Sequence, residues 1–250
     1  MIQIFASGIM LIFWLIQLKI KDASLVDLVW SLSIFISIVY LYFNLSLFDV
    51  RHLTIALLGL FWSLRLSLYL WLRIRRDTEE DRRYQAMRCS MGNYSQVGFF
   101  IFYQAQALFV TIFTTPIAIA LMTTSNTVSL LDTVGIIIFI VAILGESIAD
   151  KQLMHFKENN KGKRITCNKG LWYYSRHPNY FFEWLHWFAY PFFSYESQYF
   201  WVTCLAPFLM LIFLLKLTGI PHLEREALKN KPDYKDYIEK TSAFIPWFKR

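Results

Sequence analysis

The chain has 250 residues, 56% of them hydrophobic and 18% aromatic, and carries a net charge of +7. A soluble domain of this length is nearer half apolar and much less aromatic, so the composition excludes an ordinary water-soluble enzyme and points to a membrane protein. Seven apolar runs follow one another at 2–18, 25–43, 53–72, 97–122, 131–148, 180–193 and 199–217. Crossing a bilayer as a helix takes roughly 20 residues, which six of these approach. The sixth, 180–193, is the weakest, being short and interrupted by Glu183 and His186. The first run has no basic stretch before it and no small-residue cleavage site after it, so it reads as a retained helix.

Lys and Arg stay preferentially in cytoplasmic loops. With the N-terminus outside, 23 of the 25 Lys and Arg fall in inner loops or the tail, Arg51 falls outside, and Arg65 lies within a helix. The expectation is an all-α integral membrane protein with seven transmembrane helices, N-terminus outside and C-terminus cytoplasmic, forming a single multi-pass domain over 1–250. Topology accounts for the positive balance, and a nucleic-acid partner has no support. Cys89, Cys167 and Cys204 show neither disulfide pairing nor metal-ligand spacing.

Ionisable groups within membrane helices are costly and face a cavity or a partner. Asp27, Arg65, Glu146, Asp150, Glu183 and His186 are of this kind. Glu146 and Asp150 are four apart and share a helix face, as do Glu183 and Trp187. In "YYSRHPNYFFEW" the fixed φ of Pro178 suits the first turn of a helix. Arg176 and His177 precede it and can meet phosphate, as can the N–H groups of the helix start. Asn179 and Glu183 follow one turn apart, ready to hydrogen-bond an amide or hydroxyl deeper in the membrane. Together these residues fit an elongated ligand, anionic at its cytoplasmic end.

"GLWYYSRHPNYFFEW", with "ESIADKQLMHF" before it, "EEDRRY" earlier and "TSAFIPW" at the end, resembles the bacterial integral membrane branch of the steroid 5-alpha-reductase family. The resemblance covers nearly the whole chain. It implies seven helices, NADPH held in a cytoplasm-facing cavity, and hydride transfer to an activated alkene of a lipid-soluble substrate. Carried over by motif, it implies nucleotide contacts at Arg73 and Arg76, at Glu146 and Asp150 facing the ribose and phosphates, and at Lys157 and Arg164 in a phosphate loop. It further implies Asn179, Glu183 and Trp187 at the nicotinamide, with Tyr234 and Tyr237 of the tail placed by spacing. The steroid enzymes' Gln-Glu pair on the second helix has no counterpart, and their third-helix Tyr is Trp62 here. Asp27, the acidic group of the second helix, is then the proton-donor candidate by position, and Phe182 stands where the family places Gly. The reading expected is an NADPH-dependent reductase of a lipid-soluble enone, with Asp27 and Glu183 catalytic. The alternatives are an S-adenosylmethionine-dependent lipid methyltransferase and a non-catalytic lipid-binding membrane protein. Arg73, Arg76, Lys157, Lys163, Arg164 and Arg176 favour NADPH, because S-adenosylmethionine carries no phosphate.

Overall fold

The structure is a computed structural model and describes residues 1–46, 48–76, 79–217 and 219–249. Among the described residues the elements are helical, apart from one isolated bridge between Ser175 and Ser242. The chain divides into two compact units, 1–128 with 196–199, and 129–195 with 200–250.

The first unit holds α1 (Ile2–Ile20), α2 (Leu25–Leu45), α3 (Val50–Arg76), α4 (Arg82–Met91), a 3₁₀ turn (Gly92–Tyr94) and α5 (Ser95–Leu121). Its centre is the contact of α2 with α3 and α5. Small residues allow that contact: Ser31, Ser33 and Ser37 of α2 and Gly59, Ser63 and Ser67 of α3 are buried. Ser33, Ser37, Ser63 and Ser67 each bond the carbonyl one turn back, and the hydroxyls of Ser31 and Ser67 meet at 2.8 Å. These bonds satisfy hydroxyls that water would otherwise solvate. A Cβ on Gly59 would stand 3.0 Å from Ile38 Cδ1, so the residue there must be small.

The second unit opens with α6 (Leu130–Asn159), started by a capping box in which Ser129 and Asp132 satisfy each other's backbone N–H. It continues through α7 (Leu171–Tyr174), α8 (Pro178–His186), α9 (Ala189–Phe193) and α10 (Phe200–Ile212), which runs into a π turn at Phe213–Leu217. The tail forms α11 (Ile220–Asn230) and α12 (Tyr234–Lys240), interrupted near Pro232.

Among the described residues six helical stretches are long and apolar enough to cross a membrane: Ile2–Ile20, Leu25–Leu45, Val50–Arg76, Arg82–Leu121, Leu130–Asn159 and Phe200–Asn230. The protein is thus an all-helical, multi-pass membrane protein. The run 180–193 differs from expectation in being two short helices, of 9 and 5 residues. At their junction the N–H groups of Trp187 and Phe188 bond carbonyls three residues back, those of Trp184 and Leu185. Pro191 gives the reason, since it has no N–H for the Trp187 carbonyl and its ring crowds that position. The two short helices lie along α6, with Phe182 filling the space above Gly145 and Phe193 that above Gly135. Phe182 therefore has a glycine opposite it.

Candidate functional site

Within the second unit, α6 and α8 bring polar residues from distant parts of the sequence to one seam. Pro178 occupies the first turn of α8 with His177 as its N-cap. One residue on, the Asn179 amide donates to Asp150 Oδ1 at 3.1 Å, joining α8 to α6. Glu146 lies buried one turn earlier on α6. One turn deeper on α8, Glu183 Oε1 accepts from Trp187 Nε1 at 3.4 Å and stands 3.8 Å from His186 Nδ1. His186 is buried and bonds the Glu183 carbonyl at 2.7 Å, with its ring edge-on to Phe139 of α6.

The same helical path reaches Tyr190, two turns beyond Glu183 and electrostatically coupled to it. Tyr190 is fully buried against the rings of His186 and Trp187, and its hydroxyl has no hydrogen-bond partner among the described residues. A buried phenol with no partner is costly, and Tyr103 of the first unit is a second such group among the described residues. Nothing in the sequence singles out Tyr190 among 14 tyrosines.

Above the seam lies the loop 160–170. Lys157, expected in that loop, instead lies exposed in the last turn of α6, while Arg164, Lys161, Lys163 and Lys169 are exposed in the loop. The tail adds Lys231, half-buried, which burial and the adjacent Lys157 together hold below the usual lysine range. Asp233 acts in the opposite direction on Lys231, so this ammonium has neighbours of both signs. Lys231 is a second residue that sequence reasoning misses, because only the fold of the tail brings it near Lys157.

Arg176, expected at a phosphate, is filled by the protein itself. Its Nε donates to Glu224 Oε1 at 2.7 Å, and its Nη1 to the carbonyls of Ile238 and Thr241 at 3.0 and 2.6 Å. Its backbone N–H donates to Ser242 at 2.8 Å. His177 Nε2 lies 3.2 Å from the same Glu224 oxygen, and burial holds this imidazole below its ordinary pKa against the pull of that carboxylate. The Tyr237 hydroxyl donates to the carbonyls of Trp172 and Ser175, and Tyr234 packs beside it and against Arg176. Tyr234 and Tyr237 thus strap the tail to the loop that feeds α8.

The first unit holds a separate charged cluster. Asp27 accepts with both oxygens, from Tyr84 Oη and from Arg83 Nη2, each at 2.7 Å. Asp81 caps α4 by accepting from the Arg83 N–H at 2.9 Å, and it also pairs with Arg73. Burial raises the carboxyl of Asp81, but Arg83 and Arg73 outweigh it and bring the group down to about 2. Glu80 bonds the Ala23 N–H at 2.8 Å and Arg88 at 2.7 Å. The "EEDRRY" segment therefore fastens α4 to the α1–α2 turn, while Arg76 is exposed at the end of α3. Asp27 in this setting is a hydrogen-bond acceptor for a guanidinium and a phenol.

A family model described as "Protein of unknown function (DUF1295)" matches residues 13–241. No curated protein and no solved structure matches the chain.

Proposed function

The chain belongs to the DUF1295 family, and on that premise we propose that it is an NADPH-dependent membrane reductase of an activated C=C bond in a lipid-soluble substrate. The observation that carries this reading is the series from α8 to α9, in which Asn179, Glu183, Trp187 and Tyr190, whose phenol has no hydrogen-bond partner among the described residues, succeed one another along the chain. This donor set fits a ligand with phosphates at one end, hydroxyls in the middle and an amide-bearing ring at the other. Lys157, Lys231 and Arg164 would hold the phosphates, and Glu146 and Asp150 would accept from ribose hydroxyls. Asn179 and Glu183 would bond the carboxamide, with Trp187 as the wall beside it.

Bound there, the reduced nicotinamide supplies the hydride. The chain's own contribution is to orient and to polarise. Tyr190 would donate a hydrogen bond to the substrate carbonyl, favouring the charge that develops on oxygen when the β carbon accepts hydride, and the α carbon would then take a proton from solvent as the product leaves. Glu183 and Trp187 would hold the ring, and the apolar surroundings would exclude water, which strengthens each of these interactions. Asp27, committed to Arg83 and Tyr84, is a less suitable proton donor than Tyr190.

The membrane arrangement proposed has seven crossings, with the N-terminus outside and the C-terminus cytoplasmic. The α8–α9 segment, sixth in chain order, is the crossing added to the six long stretches. From Phe182 at Gly145 to Phe193 at Gly135 it runs antiparallel to α6, and residues 175–194 are all buried or half-buried. Broken helices are tolerated at membrane depth where protein covers them. Together with the charge asymmetry, this supports a reporter fused after Arg250 labelling as cytoplasmic and one inserted within 123–129 as external.

Calorimetry with NADPH and single-turnover reduction of a lipophilic enone test the function. Lys231→Ala is expected to weaken NADPH binding, whereas Tyr190→Phe leaves binding in place and removes most of the turnover. Absence of NADPH binding to the wild-type chain, or full turnover by Tyr190→Phe, would overturn the reading.

A further inference from the structure

The last residues of the chain form an exposed aromatic hook in the second unit. The Trp247 N–H donates to the Tyr174 carbonyl at 2.9 Å, which fixes the hook to α7. The Phe248 ring meets Tyr174 edge-on at 6.0 Å, and Lys249 Nζ sits 4.1 Å above the Tyr173 ring. Trp247 and Phe248 are nevertheless 67% and 74% exposed. A patch of this kind, with rings outward and a cation at its rim, has its apolar area open without being placed at random, since each ring is held by a backbone bond or a ring contact.

The depth of the hook follows from α6. The exposed apolar residues Leu130, Ile137, Ile140, Val141, Leu144 and Ile148 mark the part of that helix which faces lipid. At 1.5 Å per residue the distance from Leu130 to Ile148 is about 27 Å, close to the roughly 30 Å of the hydrocarbon layer. Ile148 therefore lies at one edge of that layer. At the next residue, the Ala149 carbonyl accepts from Trp172 Nε1 at 2.9 Å, and one turn on, Gln152 accepts from the Leu171 N–H, also at 2.9 Å. These two bonds hold α7 at the level where hydrocarbon gives way to headgroups, and α7 holds the hook.

We propose that Trp247 and Phe248, with Tyr173, Tyr174 and Lys249, form a membrane-interface anchor that seats in the headgroup layer of the leaflet at the C-terminal end of α6. Indole and phenol rings are amphipathic and favour this layer, and Lys249 meets lipid phosphate. The anchor stands at the level where the lipid-facing stripe of α6 ends, which is why a lipid surface rather than a protein occupies it. Because the tail also binds Arg176, seating the hook steadies the segment that leads into α8.

The test uses the full chain in phosphatidylcholine vesicles containing a fraction of phosphatidylglycerol. The fluorescence of Trp247 is taken as the difference between the wild type and Trp247→Phe, a substitution that keeps an aromatic ring. Lipids brominated near the glycerol backbone are expected to quench this difference signal at least twofold more than lipids brominated near the chain ends, with aqueous acrylamide quenching weakly. Strong acrylamide quenching without lipid quenching would overturn the proposal by showing a solvated hook. Quenching by neither, with concentration-dependent cross-linking at the hook, would overturn it in favour of a second protein copy.

Discussion

Two short charged segments, "EEDRRY" in the first unit and "SRHPNY" in the second, are built from similar residue types and put them to different ends. In the first, four side chains turn inward. Glu80, Asp81, Arg83 and Tyr84 bind Ala23, Ser24, Arg73, Arg88 and Asp27, and the result is a fastening between helices. The second segment divides at Pro178. Before it, Arg176 and His177 bind the tail; after it, Asn179 crosses to Asp150 on α6, with Glu183 one turn deeper. The contrast teaches that an arginine in a membrane-edge motif is not a ligand site by residue type. What decides is whether the fold supplies carboxylates and carbonyls at hydrogen-bond distance, as it does for Arg83 and Arg176.

The most severe break in this contrast is Arg176→Ala. It leaves Glu224 and two carbonyls without their guanidinium in a site that is nearly closed, a loss of about 3 kcal/mol. Thermal unfolding in detergent should fall accordingly, and limited proteolysis should cut the tail beyond residue 231. If stability holds and NADPH affinity alone drops, Arg176 belongs to a ligand and the contrast fails.

Glu183→Gln probes the opposite side of Pro178. The amide keeps the shape, so the melting temperature should change little. A nicotinamide displaced by about 1 Å would lower the single-turnover rate on the order of a hundredfold. An unchanged rate with a lowered melting temperature would make Glu183 a packing residue, like its counterparts in the first unit.

Arg83→Ala should cost about 2 kcal/mol, between an exposed and a buried ion pair, because Arg83 and Asp27 are each about a quarter exposed. NADPH affinity should be unaffected. A selective loss of affinity at unchanged stability would move the first unit's cluster into the binding site.

The smallest effect is the response to acid, and it separates the two segments by pH. Burial keeps His177 neutral, so its contribution to stability is complete above its ordinary pKa of 6.5 and is lost as pH falls through the lower folded value. Asp81 is held down at about 2, so its contribution is complete above 3.8 and disappears only as pH falls toward 2. Melting temperature against pH should therefore lose its slope just below 6.5 in His177→Gln, while Asp81→Asn alters only the slope below 3.8. Identical profiles in the two variants would remove the distinction.

The sequence by itself determined the helical membrane class, because apolar runs near 20 residues and a 23-to-1 division of Lys and Arg depend on composition along the chain and not on contacts. It also determined the start of α8 at Pro178, whose ring fixes a local dihedral, and the pairing of Glu146 with Asp150 on one helix face. The break at Trp187 was readable in part from Pro191. Tertiary structure alone decided which charges are spent within the fold: Arg176 meets Glu224 across 48 residues, and Arg83 meets Asp27 across 56. It likewise decided that Lys231 comes near Lys157 and that two tyrosines, Tyr103 and Tyr190, are buried without a hydrogen-bond partner for their hydroxyls among the described residues. Hydrogen bonds and desolvation act over a few ångströms of space, and separation along the chain does not encode that distance.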